Sequence, residues 1–339
     1  MLFFAKTLFS LLFFPFAAIH YRRTGHTTRR GHMALVQLFC ATGGKFNDFL
    51  SRRIARRHPP VQLPGATGVL GDLDGSGLKQ PLDALREQGY CVFPGALPEP
   101  MCEQLMKFAL ETRANVRRMD HEAANTGPRP AFFDPASLQG VRYDYATRDL
   151  LNNPQVQALL ADPSLLALSQ AYLGSTPRAD VLSMWWHTPY HTQPDGESAQ
   201  YFHFDLDRVK WLKVFVYLTD VGVDDGPHTF IAGSHRTGGI PWSMRKRGYV
   251  RLTDDEVMAH YGAERHVEFV APRGTIIVED TRGLHKGKHV SGKSRLVLQL
   301  QFSNSLFGTV YPKASITTVR DAGLADMTAR APEIYTAFR

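Results

Sequence analysis

Apolar residues fill the first nineteen positions, MLFFAKTLFSLLFFPFAAI, interrupted by Lys6 and Pro15. Met1 to Ile19 approaches the ~20 apolar residues that cross a bilayer. Lys6 can snorkel to an interface, and Pro15 predicts a kink. In Lys45 to Arg57, KFNDFLSRRIARR, Phe46, Phe49, Leu50 and Ile54 fall at helical spacing among basic residues. The Pro-rich stretch 58–66, HPPVQLPGA, then breaks the pattern. It predicts a boundary between an extension, 1–60, and a main body, 67–339.

In the main body, Pro81 to Gly89 predicts a short helix, and Tyr90 to Phe93 a strand closed by Pro94-Gly95. Pro100 to Met119 predicts a long amphipathic helix, with Cys102, Leu105, Met106, Ala109 and Leu110 on one face. Gln155 to Leu173 predicts another, interrupted by Pro163 and closed by Gly174. From Asp180 onward the texture turns to strands, at Lys213 to Leu218, Thr275 to Val278 and Leu296 to Phe302. Helices first and strands later indicate an α+β fold, with helices buttressing an antiparallel sheet or barrel.

At about 150 residues per domain, 339 residues allow two domains, or one large barrel with an extension. The balance of 43% hydrophobic and 21% charged residues excludes a disordered, collagen-like or coiled-coil chain. Cys40, Cys91 and Cys102 are too few and too scattered for a disulfide framework, and none forms a CxxC zinc pair. They read as buried thiols in a reducing compartment. The charge is +7 but uneven: residues 1–60 carry ten Lys/Arg against Asp48 alone, and the rest is slightly acidic. Only the leader is basic, so a nucleic-acid partner is not expected.

The basic stretch Tyr21 to Arg30 follows the apolar run, an order that holds the downstream chain on the cytoplasmic side. A secretory signal has the opposite order, although Ala17-Ala18 leaves a cleavage reading open. Two readings of residues 1–60 stand: attachment to the cytoplasmic face of a membrane, with Lys45 to Arg57 facing anionic headgroups, or helices packed on the main body.

The most informative segment is Tyr201-Phe202-His203-Phe204-Asp205. In a strand, positions i and i+2 share a face, so His203 and Asp205 present an imidazole and a carboxylate together. One more inward histidine completes a two-His, one-carboxylate face for Fe(II), and His285 in Gly283-Leu284-His285-Lys286-Gly287 is the candidate, placed at a turn. Ten residues later Arg295 shares a strand face with Gln299 and Gln301, while Leu296, Leu298, Leu300 and Phe302 take the other. An inward Arg295 needs an anion, and a carboxylate bound through paired N–H donors meets that need.

With these residues the chain resembles the phytanoyl-CoA dioxygenase-like family of Fe(II)/2-oxoglutarate oxygenases over roughly residues 78–310. The resemblance starts at Gln88 to Leu97, QGYCVFPGAL. It runs through His203 and Asp205, Asp225-Gly226-Pro227-His228 and Gly233-Ser234-His235-Arg236, and closes with His285 and Arg295. It implies a double-stranded β-helix, a jelly-roll or cupin-like barrel with flanking helices. By resemblance His203, Asp205 and His285 bind iron, Arg295 pairs with the distal carboxylate of 2-oxoglutarate, and O2 is the oxidant. His289, four residues after His285, is the rival ligand, but only His285 has the family spacing to Arg295. Met184 stands where relatives place a residue packed on the cosubstrate, with a core methionine as the alternative. An Asp at 205, where related halogenases lack the carboxylate, implies hydroxylation of an unactivated C–H bond. The turn Leu284 to His289 carries more positive charge than the family usually has, which bears on substrate charge.

Further along, Lys213, Phe215 and Tyr217 share a face opposite Leu212, Val214, Val216 and Leu218. With the apolar row outward, Lys213 and Tyr217 line the pocket, and Lys213 is a second anion contact or a structural lysine. Trp185, Trp186 and Trp211 read as core or pocket wall. His187 and His191 have the spacing of a helical zinc pair, but Pro189 and Pro194 oppose a helix. His228 and His235 read as loop-fixing groups. Asp72 to Gly77, DLDGSG, reads as a turn and lacks most of a calcium loop. The implied substrate is a small molecule or, on the evidence of the leader, a lipid-linked one, with an acyl chain, a lipid headgroup and a small polar metabolite all open. Two rivals remain: a non-catalytic membrane-tethered binding module, and a cupin-like metalloenzyme without 2-oxoglutarate. The intact triad opposes the first and Arg295 the second.

Overall fold

The computed structural model describes residues 2–117, 129–193 and 199–339. Helices α1 (Leu2–Thr24), α2 (Arg29–Thr42) and α3 (Lys45–Arg57) lead the chain. After α4 (Lys79–Glu87) come β1 (Tyr90–Phe93), α5 (Glu99–Glu111), β2 (Ala114–Arg117), β3 (Arg129–Ala131) and β4 (Arg142–Asp144). Helices α6 (Thr147–Leu151), α7 (Pro154–Leu160) and α8 (Pro163–Leu173) precede β5 (Arg178–His187). The remainder holds β6 (Trp211–Tyr217), β7 (His228–Ile231), α9 (Trp242–Arg245), α10 (Asp254–Tyr261) and β8 (His266–Glu268). It closes with β9 (Ile276–Glu279), β10 (His285–Gly287), β11 (Arg295–Ser303) and α11 (Ala322–Arg330).

The strands pair antiparallel in a large sheet, β1-β9-β6-β11-β5-β4-β2-β3, and a small one, β8-β7-β10. Alternation decides which way each side chain points. Leu296, Leu298, Leu300 and Phe302 of β11 are buried with Leu212, Val214 and Val216 of β6, against Leu105, Leu159 and Leu166 of the flanking helices. The opposite face packs Trp185, Phe215, Tyr217, Ile277 and Val297 with Phe230 and Val267 of the small sheet. The two sheets therefore face each other across an aromatic interior. This is the expected α+β architecture, a double-stranded β-helix with flanking helices.

Several expected elements take a different form. The helix expected to Met119 stops at Glu111, because Thr112 is extended (φ −112°, ψ 136°) and the next residues pair with β3 and β4. Met119 lies outside the described residues, as do Met1 and Pro194. On α5 the buried face is Cys102, Leu105 and Ala109, whereas Leu110 is exposed. The stretch from Gln155 to Leu173 is two helices. Asp162 caps the second by accepting from the Leu165 N–H, with Pro163 in its first turn, and Gly174 closes it in the left-handed region. The Asp72–Gly77 stretch runs from a short strand into a 3-10 helix, Gly75–Leu78, and Asp72 Oδ1 accepts from the Asp74 N–H at 2.9 Å between them. Helix α1 runs unbroken through Pro15.

The break at residues 58–66 does not separate two cores. Val36, Phe39 and Cys40 of α2 share a buried cluster with Phe202, Phe204 and Leu206. His32 Nε2 lies 3.0 Å from the Leu206 carbonyl, and Asn47 Nδ2 donates to the Val209 carbonyl at 3.0 Å. Residues 29–57 therefore back the segment that carries His203 and Asp205.

Candidate active site

His203 and Asp205 do not stand on a regular strand. Their segment is extended, and it is pinned by paired backbone bonds between His203 and His285 and by the Asp205 N–H donating to the Thr281 carbonyl at 2.8 Å. These bonds keep the i, i+2 geometry, so both side chains face the interior while Phe202 and Phe204 pack on α2. His285 opens β10, opposite Phe230 of β7, and is not in a turn.

One ligand atom from each of His203, Asp205 and His285 lies within 4.8 Å of the others, and all three residues are buried. Asp205 Oδ1 is 3.8 Å from His203 Nε2, and Oδ2 is 3.3 Å from His285 Nε2. Nδ1 of His203 lies 2.9 Å from the Tyr201 carbonyl, and Nδ1 of His285 2.9 Å from the Gly283 carbonyl. A carbonyl only accepts, so both Nδ1 atoms carry a proton and both Nε2 atoms converge on Asp205. Burial and the neighbouring His285 hold His203 well below the usual imidazole range. Burial also opposes charge on His285, but the Asp205 carboxylate outweighs it and raises this imidazole. Asp205 is held well below the usual carboxylate range: burial opposes ionisation, and Lys213 followed by His285 overcome it. Two imidazoles and a carboxylate with an open side suit a divalent iron.

Lys213 contacts an anion, but that anion is Asp205, at 2.5 Å from Oδ2, with Asp207 at 3.7 Å. Tyr217 is fully buried. Its hydroxyl accepts from the His228 N–H at 2.9 Å, and its ring lies 5.9 Å from the Arg295 guanidinium. Met184 takes the alternative reading, a core methionine. It belongs to the outer core beside Leu298 and Val216, because β5 turns Trp185 and His187 inward and Met184 toward the helices.

Arg295 is 2% exposed. Its guanidinium donates to the Gly226 carbonyl, and Nη2 lies 3.0 Å from His187 Nδ1. Burial, followed by Arg295 itself, holds His187 neutral, so Nδ1 can accept that bond. Nε has no partner, and among the described residues no carboxylate pairs with Arg295. A buried guanidinium left in this state fits the far carboxylate of 2-oxoglutarate.

One interior histidine and one acid carry more than the sequence suggests. His228 is on β7, 4.5 Å from the Phe215 ring and 5.7 Å from that of His285. Its Nε2 lies 2.8 Å from Glu279 Oε2. Glu279 is fully buried opposite Lys213 and Tyr90, and burial pushes its carboxyl up to about 8 although His285 and Lys213 oppose the shift. Its signal was present: Ile277 points inward, and Glu279 is two residues on in the same strand. His289 is not among the converging ligands, and its Nδ1 lies 3.4 Å from Gln200.

The family model described as "Phytanoyl-CoA dioxygenase (PhyH)" matches residues 85–297. No curated protein matches the sequence. Among solved structures, the epimerase SnoN in complex with Fe3+, alpha ketoglutarate and nogalamycin RO is 20% identical, with a TM-score of 0.47, over 68% of this chain and 84% of that one. HygX from Streptomyces hygroscopicus, with nickel, 2-oxoglutarate and hygromycin B bound, is 15% identical, with a TM-score of 0.46, over 71% and 94%. EctD from S. alaskensis with bound Fe is 18% identical, with a TM-score of 0.47, over 75% and 88%.

Proposed function

The chain belongs to the phytanoyl-CoA dioxygenase family and is an iron- and 2-oxoglutarate-dependent oxygenase, and from that premise we propose that it hydroxylates an unactivated C–H bond of a small-molecule or lipid-linked substrate. 2-Oxoglutarate is oxidised to succinate and CO2, one oxygen atom of O2 entering succinate and the other the product. The observation that carries the reading is the combination of a converged His203, Asp205, His285 set with a buried Arg295 that has no carboxylate partner among the described residues.

In this reading His203 and His285 hold iron through Nε2, and Asp205 holds it through a carboxylate that Lys213 keeps ionised. Iron and cosubstrate, when bound, supply oxygen activation and the two-electron reductant. Arg295 takes the far carboxylate of 2-oxoglutarate, with His187 and Tyr217 as positioning residues that fix the guanidinium plane. Trp185, Phe215 and Phe230 exclude water from the interior. Asp205 in place of a small residue supports hydroxylation over halogenation. The retained Arg295 supports 2-oxoglutarate use over a cupin-like metalloenzyme without it.

The experiment is turnover under 18O2 against a panel of acyl lipids, lipid headgroup derivatives and small polar metabolites. Expected is a product heavier by one 18O, with stoichiometric succinate, that His203→Ala abolishes. Substrate-dependent turnover retained in His203→Ala contradicts the assignment.

A further inference from the structure

Helix α1 is built inside out for a helix in water. The stripe that faces α2 and the body holds Phe3, Thr7, Ser10, Phe14, Ala17 and Tyr21, and its polar members are satisfied there. Gln37 donates to Thr7 Oγ1 at 2.9 Å, and Ser10 to the Lys6 carbonyl at 2.8 Å. The opposite stripe carries Phe4, Leu8, Phe9, Leu12 and Phe16, each 60% to 74% exposed. A helix that is apolar all round buries both sides. Helix α3 repeats the inversion: Asn47 and Ser51 face the body, while Phe49 and the four arginines 52, 53, 56 and 57 face out.

Between α1 and α3 lies an open cleft of about 1030 Å³, with Phe14, Phe46 and Leu50 on its walls and Arg22, Arg53 and Arg57 at its rim. Among the described residues none of these three arginines forms an ion pair. Apolar walls below a cationic rim match the acyl chain and phosphate of an anionic phospholipid.

By length and composition, Phe3–Thr24 could cross a membrane. The packing argues for another pose. Phe3 meets Trp242 edge to face at 4.8 Å, and Phe14 and Tyr21 each meet Phe307 edge to face at 5.4 Å, so the body lies alongside the helix from end to end. Crossing would tear that stripe from its partners. We propose that α1 lies in the plane of an anionic phospholipid surface, immersing Phe4, Leu8, Phe9, Leu12 and Phe16 while α3 presents its arginines to the headgroups. The body-facing stripe of α1 connects to the site through a short piece of chain: from Trp242, packed on Phe3, the chain reaches Tyr249, whose hydroxyl lies 3.4 Å from Asp205 Oδ1.

The test uses full-length protein and vesicles of phosphatidylcholine alone or with phosphatidylserine. Expected is sedimentation with the anionic vesicles, weakened by salt and at least tenfold by Phe9→Glu/Phe16→Glu or Arg53→Glu/Arg57→Glu, with unchanged circular dichroism. Spin labels at Phe4→Cys, Leu8→Cys, Leu12→Cys and Phe16→Cys report depth, since Cys40, Cys91 and Cys102 are buried. Equal depths are expected. A crossing helix, rising ~1.5 Å per residue, would separate positions 4 and 16 by about 18 Å and overturn the in-plane pose. No binding, with dimerisation abolished by Phe9→Glu/Phe16→Glu, would overturn it in favour of a second copy of the chain. His203→Ala is expected to bind vesicles fully, so failure here is distinct from failure of the proposed reaction.

Discussion

Arg295 is a buried cation held by a carbonyl, a neutral imidazole and an aromatic ring, with Nε unpaired. Removing one partner of a buried charge pair costs about 2 kcal/mol or more, a thirtyfold or larger effect. Arg295→Ala is therefore expected to raise the KM for 2-oxoglutarate by about that factor, with Fe(II) affinity, read by titration, nearly unchanged. Lys213 acts on the other side of the site through Asp205. Partners of metal ligands are worth about 10–100-fold in metal affinity, so Lys213→Met should weaken Fe(II) binding by that order and leave the 2-oxoglutarate KM less affected. Glu279 titrates near 8 in the metal-free fold instead of 4.5. Between those values the folded chain holds more protons than the unfolded one, so its contribution to stability falls as pH rises through the window. Relative to wild type, metal-free Glu279→Gln should gain Tm from pH 5 to pH 8.5. A pH-independent difference would contradict the assignment.

At the scale of elements, Gly89 joins α4 to β1 at φ +95°, and an added Cβ would fall 2.5 Å from His235 Nδ1 and 2.8 Å from the Phe230 ring. Gly89→Ala is expected to destabilise the fold by about 1–3 kcal/mol, read as a lower denaturant midpoint. The strands with clean alternation were legible in the sequence, and so was the polarity of β11 and β6, because a two-residue period has one reading once one face is apolar. The shared face of His203 and Asp205 was legible for the same reason, though their segment is held by a few long-range bonds that no local pattern encodes, and His285 was singled out by its spacing to Arg295 in the family resemblance. The end of α5 was not, because pairing with β3 and β4 overrides helical spacing. The two readings of Met184, cosubstrate contact or core, could not be separated in the sequence, since its strand is apolar on both faces and gives no parity signal. Glu279 and His228 were missed because burial, which gives them their chemistry, is a property of the closed barrel.

The whole molecule is organised around a barrel whose His203–Asp205 segment is backed by α2. Deleting residues 1–58 uncovers Phe202, Phe204 and Leu206, at about 1.5–3 kcal/mol for each large side chain returned to water. That variant should lose cooperative unfolding and iron affinity together, whereas deletion of residues 1–24 leaves α2 and α3 in place and should retain iron binding. The central claim is that one interior site takes Fe(II) on His203, Asp205 and His285 and 2-oxoglutarate on Arg295. Its most direct measurement is the visible metal-to-ligand charge-transfer band on adding Fe(II) and 2-oxoglutarate to purified protein without oxygen. Expected is a band in wild type that weakens in both Arg295→Ala and Asp205→Ala. No band in well-folded, iron-loaded wild type would contradict the claim.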